Sequence, residues 1–254
     1  MKKILVILVV LRFITSIFAI EEFKMTFINE NVSKDTELKM REGSNYIINF
    51  YMNINFPIQI SNINVRVFTF FDDYKSHQKL NSNAKSNNGY FSSSKHEIVL
   101  FSNEKLIKTF HHEFNHYLLR AYFKKPPKWV NEGLSEYFEY LNNSNPITIL
   151  PQKNKIARVK SWVDEKIEND IEKILSGSNK QWTEQNIKPE YRSSTISYAI
   201  VFFLMSIENG DQILGKIIKG LMNGEKSIEA IRSTYHGSIT KFNEDFIRFY
   251  SEWN

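Results

Sequence analysis

The nine residues HHEFNHYLL, at positions 111–119, combine three histidines and a glutamate with the apolar spacing of a helix. The apolar residues in and around this stretch recur every three or four positions: Ile107, Phe110, Phe114, Leu118 and Ala121. This spacing predicts an amphipathic helix that stops before Pro126 and Pro127. At about 100° per residue, His112 and His116 lie about 40° apart on the face opposite the apolar stripe. The stretch therefore predicts a helix with one buried face and one face that carries two histidines.

Three of these residues match a pattern with a known chemical use. His112, Glu113 and His116 form the sequence HExxH, in which two histidines one turn apart bind one zinc ion and the glutamate acts as base. His111 lies beside the apolar stripe, away from His116, so we exclude it as a ligand. A catalytic zinc takes three protein ligands and keeps one position for water. The third ligand must therefore come from another part of the chain.

A second helix, predicted within WVNEGLSEYFEY (129–140), supplies carboxylates at helical spacing. Glu132 and Glu136 lie four residues apart, opposite the apolar side of this helix. The Pro-Pro turn folds the helix back, and Gly133 is expected to let the two backbones approach, so that Glu132 completes a His, His, Glu site. We expect Glu136 to accept the second ring N–H of a zinc-bound histidine, a role for which the Asn131 amide is also suited.

Other classes of protein with the HExxH pattern are excluded by single residues. The class with a third histidine ligand needs Gly and His three and six positions after His116, where this chain has Leu119 and Tyr122. The chain has no cysteine, which excludes thiolate metal sites, disulfides and cysteine nucleophiles. Intramembrane metalloproteases place the pattern in an apolar span, whereas this helix carries Lys108 and Arg120.

The rest of the chain predicts an α+β protein. Residues 23–101 are expected to be mostly strands, because NVRVFTFF (64–71) and HEIVLF (96–101) are rich in β-branched and aromatic residues. The strand EIVLF is a candidate edge on which an extended substrate adds as a further strand. After the two metal-binding helices the pattern predicts helices at 156–175, 193–207, 211–222, 227–235 and 240–253.

The N-terminus has the order of a secretory signal. Lys2 and Lys3 precede an apolar run, and Ala19 stands just before two acidic residues. Arg12 interrupts the run, which is shorter than the roughly 20 apolar residues that span a bilayer. We expect a signal peptide at 1–19, with an uncleaved N-terminal membrane anchor as the alternative. The chain is then secreted or extracytoplasmic, and it touches a membrane only through this segment.

The charge of the chain argues against one class of partner. The formal net charge is +5, and three of these positive charges belong to the N-terminal segment. Nucleic acid is therefore not an expected partner.

Four stretches resemble those of the gluzincin zinc metallopeptidases, and within them the peptidase MA-like family. INVRVFTFFDDY and GYFSSSKHEIVLF are similar to its strand, helix and hairpin, and HHEFNHYLL and PPKWVNEGLSEYFEY to its two metal-binding helices. Downstream, SYAIVFFLMSIENGDQILGKIIKGLMNG and FNEDFIRFYSEW are similar to its helical lobe. The similarity covers much of residues 63–253.

The resemblance implies a zincin-like α+β fold with two lobes. A β-rich N-terminal lobe (20–142) with a mixed sheet would end in the two metal-binding helices, and a mainly helical lobe (143–254) would follow. The active site would lie in the cleft between them. One Zn²⁺ ion held by His112, His116 and Glu132, with Glu113 as general base, is also implied, and it agrees with the helical geometry above.

The resemblance further implies a downstream hydrogen-bond donor for the oxyanion, usually Tyr or His. Tyr198 is the first candidate, Tyr191 the second and His236 the third. Ser194 stands where the family has an aromatic residue, which leaves the choice of donor open.

These observations predict a zinc-dependent peptidase that hydrolyses a peptide or protein substrate. The first alternative is a zinc-binding surface or secreted module that binds partners without catalysis. The presence of Glu113 argues against it, because zinc binding alone does not need this residue. A second alternative is a helical scaffold in which the HExxH spacing is a coincidence, and such a protein would bind no stoichiometric zinc.

Overall fold

The computed structural model describes residues 24–28, 32–58, 62–144, 146–163, 167–187 and 189–253. The predicted signal peptide at 1–19 lies outside these residues. Among the helices of the described ranges, none combines the length and the apolar character that a membrane crossing needs.

A small mixed sheet forms the β part of this α+β protein. Its strands are β1 (Met25–Phe27), β2 (Ile63–Phe68), β3 (Gly89–Ser92) and β4 (Glu97–Phe101). Their order in the sheet is β1-β2-β4-β3; β1, β2 and β4 are parallel, and β3 pairs antiparallel to β4. The strand EIVLF is therefore β4, an inner strand, and its prediction as an edge is wrong. The hairpin turns back at residues 93–96, and this places β3 at the edge.

The prediction of mostly strands in residues 23–101 is also wrong in two places. The segment contains the helices α1 (Lys34–Asn53) and α2 (Phe71–Asn81). Ser33 caps α1 by accepting the Thr36 N–H, which satisfies a donor at the helix start. The buried residues of α1 follow helical spacing: Met40, Gly43, Ser44, Ile47, Ile48, Phe50 and Tyr51. Tertiary packing of this stripe outweighs the strand propensity of its Ile, Tyr and Phe residues.

The two helices of the predicted site are present, as α3 (Leu106–Tyr122) and α4 (Lys128–Glu139). The short strands β5 (Leu141–Asn142) and β6 (Thr148–Ile149) form a separate antiparallel pair. The later helices are α5 (Lys153–Val163), α6 (Ile167–Ser176), α7 (Asn179–Gln185), α8 (Arg192–Ser206), α9 (Gly210–Met222), α10 (Ser227–Thr234) and α11 (Ser238–Ser251). The predicted helix at 156–175 is thus two helices, and α7 was not predicted.

The sheet and most of the helices share one hydrophobic core. Buried residues from Met25 to Tyr250 belong to a single cluster, to which Ile98 and Leu100 of β4 contribute. Val99 points to the other face of the sheet and packs with Tyr74 of α2. The helix α3 packs against α1, β3, β4 and α4. The site helices are therefore held from several sides.

Gly133 serves a different contact from the one predicted. A Cβ at this position would lie 2.5 Å from the Ser197 carbonyl oxygen of α8. Gly133 therefore allows α4 to approach α8, not α3. As a result α4 lies between α3 and α8. The face of α4 that carries Glu132 is turned toward the histidines of α3.

Candidate metal site

Three predicted ligands converge where α3 meets α4. His112, His116 and Glu132 each offer a ligand atom, and these atoms all lie within 4.8 Å of one another. Glu132 Oε2 is 3.8 Å from Nε2 of His112 and 3.8 Å from Nε2 of His116. Their side chains are 19%, 10% and 18% exposed, so the group is recessed but reachable from solvent. This group is able to hold a metal ion.

The two oxygens of Glu132 face different partners. Oε1 lies 3.6 Å from Lys128 Nζ and accepts a hydrogen bond from Asn131 Nδ2 at 3.3 Å. Oε2 is left to face the two histidines. Burial alone would raise the pKa of Glu132, but its interactions with His116, His112, Lys128 and Arg120 lower it. The carboxylate is therefore ionised and aimed as a ligand.

Glu139 is the carboxylate that orients His112. Its Oε2 lies 3.4 Å from His112 Nδ1, which directs Nε2 of the same ring toward Glu132. Burial would lower the pKa of His112, but the hydrogen bond to Glu139 and the nearby carboxylates raise it to about 10. With no metal bound, His112 thus holds a proton among Glu113, Glu132 and Glu139.

The role predicted for Glu136 is not the one that its contacts show. Its Oε2 forms an ion pair with Lys155 at 2.6 Å, and its backbone carbonyl accepts from Gln152 Nε2 at 2.6 Å. On a helix, Glu136 is rotated about 40° from Glu132, whereas Glu139, two turns on, is rotated only about 20° in the other direction. The smaller rotation brings Glu139, and not Glu136, over His112.

His116 is oriented by amide and hydroxyl groups. Its Nδ1 lies 3.1 Å from Asn131 Oδ1, as predicted for Asn131, and 3.1 Å from Ser135 Oγ. Asn115 Nδ2 donates to Ser135 Oγ, and Tyr51 donates to Asn115 Oδ1 at 2.6 Å. Burial lowers the pKa of His116 to about 3, so its ring is neutral and Nε2 is available. The chain of bonds ties α1, α3 and α4 together beneath the site.

Glu113 lies beside the ligands and is held by the sheet. Its Oε2 accepts the Phe91 backbone N–H at 2.9 Å, from the edge strand β3. The residue is only 8% exposed. Burial, helped by the charge of Glu132 and opposed by that of His112, raises the pKa of Glu113 to about 7. A carboxyl with this pKa is suited to accept and return protons near neutral pH.

His111, which the sequence excludes as a ligand, is fully buried on the other side of α3. A Cβ added to Gly43 of α1 would overlap His111 Nε2, so this histidine fills the space that the glycine leaves. Burial lowers the pKa of His111 to about 4, and the Lys39 backbone opposes this only in part. The side chain is thus a neutral core residue.

The described hydrogen bonds and ion pairs of the three candidate oxyanion donors do not include the metal-binding group. Tyr198 is fully buried, and its hydroxyl accepts the Gln152 backbone N–H at 2.8 Å. Tyr191 precedes α8 in a left-handed conformation (φ 46°) with 37% of its surface exposed. His236 is exposed between α10 and α11. Neither tyrosine contacts the metal-binding group through any interaction in the described part of the chain.

Four side chains that support the site were missed by sequence reasoning: Tyr51, Asn115, Ser135 and Glu139. Two of them carry a signal that was available. Ser135 lies one turn after Asn131, and Glu139 lies two turns after Glu132, so both share the face of a predicted site residue. Tyr51 and the backbone donor Phe91 come from distant elements and carry no such signal.

No protein-family model matches the chain, and neither does any curated protein.

Proposed function

We propose that this protein is an extracytoplasmic zinc-dependent metallopeptidase. The observation that carries the proposal is the convergence of His112, His116 and Glu132 within 4.8 Å beside the buried carboxylate of Glu113. Two imidazole nitrogens and one carboxylate oxygen form a donor set that suits zinc, and three protein ligands are typical of catalytic zinc sites. The proposal includes a zincin-like arrangement of two lobes and a peptide or protein substrate. Export by the N-terminal signal pattern is part of it.

The residues around the donor set favour metal binding over a coincidental cluster. His112 Nδ1 faces Glu139, and His116 Nδ1 faces Asn131, so both rings have an oriented Nε2. When bound, a zinc ion at such a site supplies a Lewis acid that polarises a carbonyl group and lowers the pKa of a bound water. The protein's own contribution is to fix the ligands and to exclude most of the solvent.

Glu113 is the proposed general base. Because Oε2 is held by the Phe91 N–H, Oε1 is the oxygen left to take a proton from the attacking water. Glu113 then returns the proton to the nitrogen of the leaving amine as the peptide bond breaks. In the metal-free site, burial raises the pKa of Glu113 to about 7, a value that suits proton transfer near neutral pH. The orientation of this carboxylate depends on the edge strand β3, which therefore belongs to the catalytic machinery.

The test compares the full chain with its Glu113→Gln variant. Both proteins are loaded with zinc, their metal content is measured, and cleavage of unstructured casein is followed by mass spectrometry. We expect about one zinc per chain in both proteins and cleavage only by the wild type, with a loss of at least about a hundredfold in the variant. Glu136→Gln is the matched control, because it removes a carboxylate from the same face of α4 as Glu132. Glu136 is paired with Lys155, so this variant should retain activity.

Three results would redirect the assignment. Zinc bound by both proteins with no cleavage by either would favour the alternative, a catalytically silent zinc-binding module. Cleavage that survives in Glu113→Gln would refute the role of this residue. Failure of the wild type to bind zinc would leave a helical scaffold with a chance HExxH pattern.

A further inference from the structure

The turn that joins the two site helices is strongly basic. Four cationic residues lie within nine positions: Arg120, Lys124, Lys125 and Lys128. From 117 to 131 the chain has no acidic residue. Lys128 is engaged with Glu132 Oε1 at 3.6 Å and with the Trp182 ring at 5.2 Å. The other three side chains are exposed.

Arg120 differs from the two exposed lysines in its direction. It lies in the last turn of α3, four residues after His116, which places their Cβ atoms about 5–6 Å apart. On the helix, its direction falls between those of His116 and Glu113. Its charge acts on Glu113, His116 and Glu132, and it lowers the pKa of each. Among the three exposed cations of this turn, Arg120 is therefore the one whose charge acts on the metal-binding group.

The guanidinium of Arg120 has no ion pair or hydrogen bond within the residues that the structure describes. The two carboxylates on which its charge acts have other partners: Glu113 accepts the Phe91 N–H, and Glu132 contacts Asn131 and Lys128. An arginine at the end of a helix also stabilises the helix dipole. The interaction with the helix dipole, however, does not require that Arg120 lie on the face of α3 that carries His116 and Glu113. An exposed guanidinium at the rim of the site is left to bind an anion from solution.

We propose that Arg120 binds a carboxylate of the substrate, so that the site selects acidic peptides. This inference rests on the proposed peptidase function and names its substrate class. A guanidinium binds a carboxylate through two parallel N–H···O bonds, which fixes the orientation of the bound group as well as its charge. The carboxylate is either an Asp or Glu side chain or the free C-terminus of the peptide. Arg120 is thus a specificity-determining residue, distinct from the ligands and from Glu113.

The test measures peptide binding separately from hydrolysis. The probe is a decapeptide of Ala, Ser and Leu that carries an uncharged BODIPY dye, with two central residues that are either Glu or Gln, and with a free or amidated C-terminus. The four versions are titrated by anisotropy against the full-length, zinc-loaded Glu113→Gln protein. The same titrations use this protein with Arg120→Gln, with Arg120→Lys, or with Lys125→Gln. Lys125→Gln removes the same charge from the same turn and is the matched control.

We expect Arg120→Gln to weaken binding of acidic peptides about tenfold and to leave the neutral, amidated peptide unchanged. Arg120→Lys should lose less, because it keeps the charge but not the paired geometry. Lys125→Gln should change affinity less than about twofold, as for an exposed charge. If the Arg120 effect disappears on amidation, the ligand is the C-terminal carboxylate. If it disappears on replacement of Glu by Gln, the ligand is a side chain.

Three results would overturn the proposal. They are equal affinity for acidic and neutral peptides, equal losses in Arg120→Gln and Lys125→Gln, and no binding of any peptide at millimolar concentration. Zinc content and thermal unfolding of each variant establish that it is folded. Hydrolysis of the four peptides by the wild type judges the proposed function independently. If binding shows an Arg120-dependent preference but no peptide is hydrolysed, the recognition site stands and the peptidase function is refuted. If peptides are hydrolysed without that preference, the peptidase function stands and the role of Arg120 is refuted.

Discussion

His111 and His112 are neighbours in the chain but lie in opposite surroundings. His111 is fully buried against Gly43, and burial lowers its pKa to about 4. His112 faces Glu132 and Glu139, and its pKa is raised to about 10. Their directions on α3 differ by about 100°. A step of one residue along α3 therefore changes a neutral histidine in the core into a protonated histidine surrounded by carboxylates.

The two sides of α3 serve different purposes, one in packing the core and one in binding the metal. The core side of α3 is fixed by shape, because His111 fills the space left by a glycine. The metal side is fixed by charge and hydrogen bonds, because each ring there has a polar partner at Nδ1. A substitution on the core side should change the free energy of unfolding, whereas one on the metal side should change the affinity for the ion.

The largest expected effect comes from replacing the two histidines separately. His112→Ala should lower zinc affinity by more than about a hundredfold, since losing a ligand costs more than losing a group that orients one. His111→Ala should change zinc affinity little, but lower the free energy of unfolding by about 2–4 kcal/mol through the cavity that it leaves. Chelator competition and urea unfolding measure the two quantities. If the His111→Ala variant folded but no longer bound zinc, the proposed separation of α3 into a core face and a metal face would be wrong.

A smaller effect is expected from the carboxylates that follow Glu132 on α4. Glu139→Ala should lower zinc affinity about 10- to 100-fold, because His112 loses the group that orients its ring. Glu136→Ala is the control on the same helix. Its carboxylate pairs with Lys155, so zinc affinity should change less than about threefold. The reverse order of the two losses, measured by chelator competition, would restore the sequence-based assignment of Glu136.

Much of the site could be predicted because its signals are local. The spacing of His112 and His116 and the apolar stripe of α3 together determine which residues face away from the core. The position of Glu132 needed one further inference, that a Pro-Pro turn folds α4 back. Glu139 was missed because side chains one turn apart were favoured over side chains two turns apart, although the latter are rotated less.

The parts of the fold that were not predicted depend on tertiary contacts. The helix α1 contains Ile47, Ile48 and Tyr51, whose strand propensity suggested a strand, but their packing against α3 makes a helix more stable. Gly133 was expected to face α3 and faces Ser197 instead, because no local pattern tells which neighbour a helix face meets. The partners of Glu113 and His116 from β3 and α1 are likewise distant in sequence.

The contact between Gly43 and His111 allows a sharper test of the core face. Gly43→Ala should lower the free energy of unfolding by about 1–3 kcal/mol, because the added Cβ overlaps the His111 ring. In a His111→Ala background the same change should cost much less, since the ring is gone. Urea unfolding of the four proteins gives the coupling energy. Zinc affinity should remain within about threefold throughout, and additive costs would show that the two residues do not share this space.

The smallest effect is the pH dependence of zinc affinity, and it bears on the charge of the metal face. The raised pKa of His112, about 10, means that without metal this ring is protonated at pH 7 to 8.5 and must release its proton to bind an ion. Apparent affinity should therefore rise about tenfold per pH unit in this range. Calorimetry in buffers of different ionisation enthalpy should count about one proton released per zinc.

His111→Ala should keep this slope of zinc affinity against pH, because a pKa of about 4 leaves His111 neutral throughout. Glu139→Ala should flatten it, since the hydrogen bond that raises the pKa of His112 is lost. A slope near zero in the wild type would mean that His112 is already neutral and that its carboxylate neighbours do not hold the proton there.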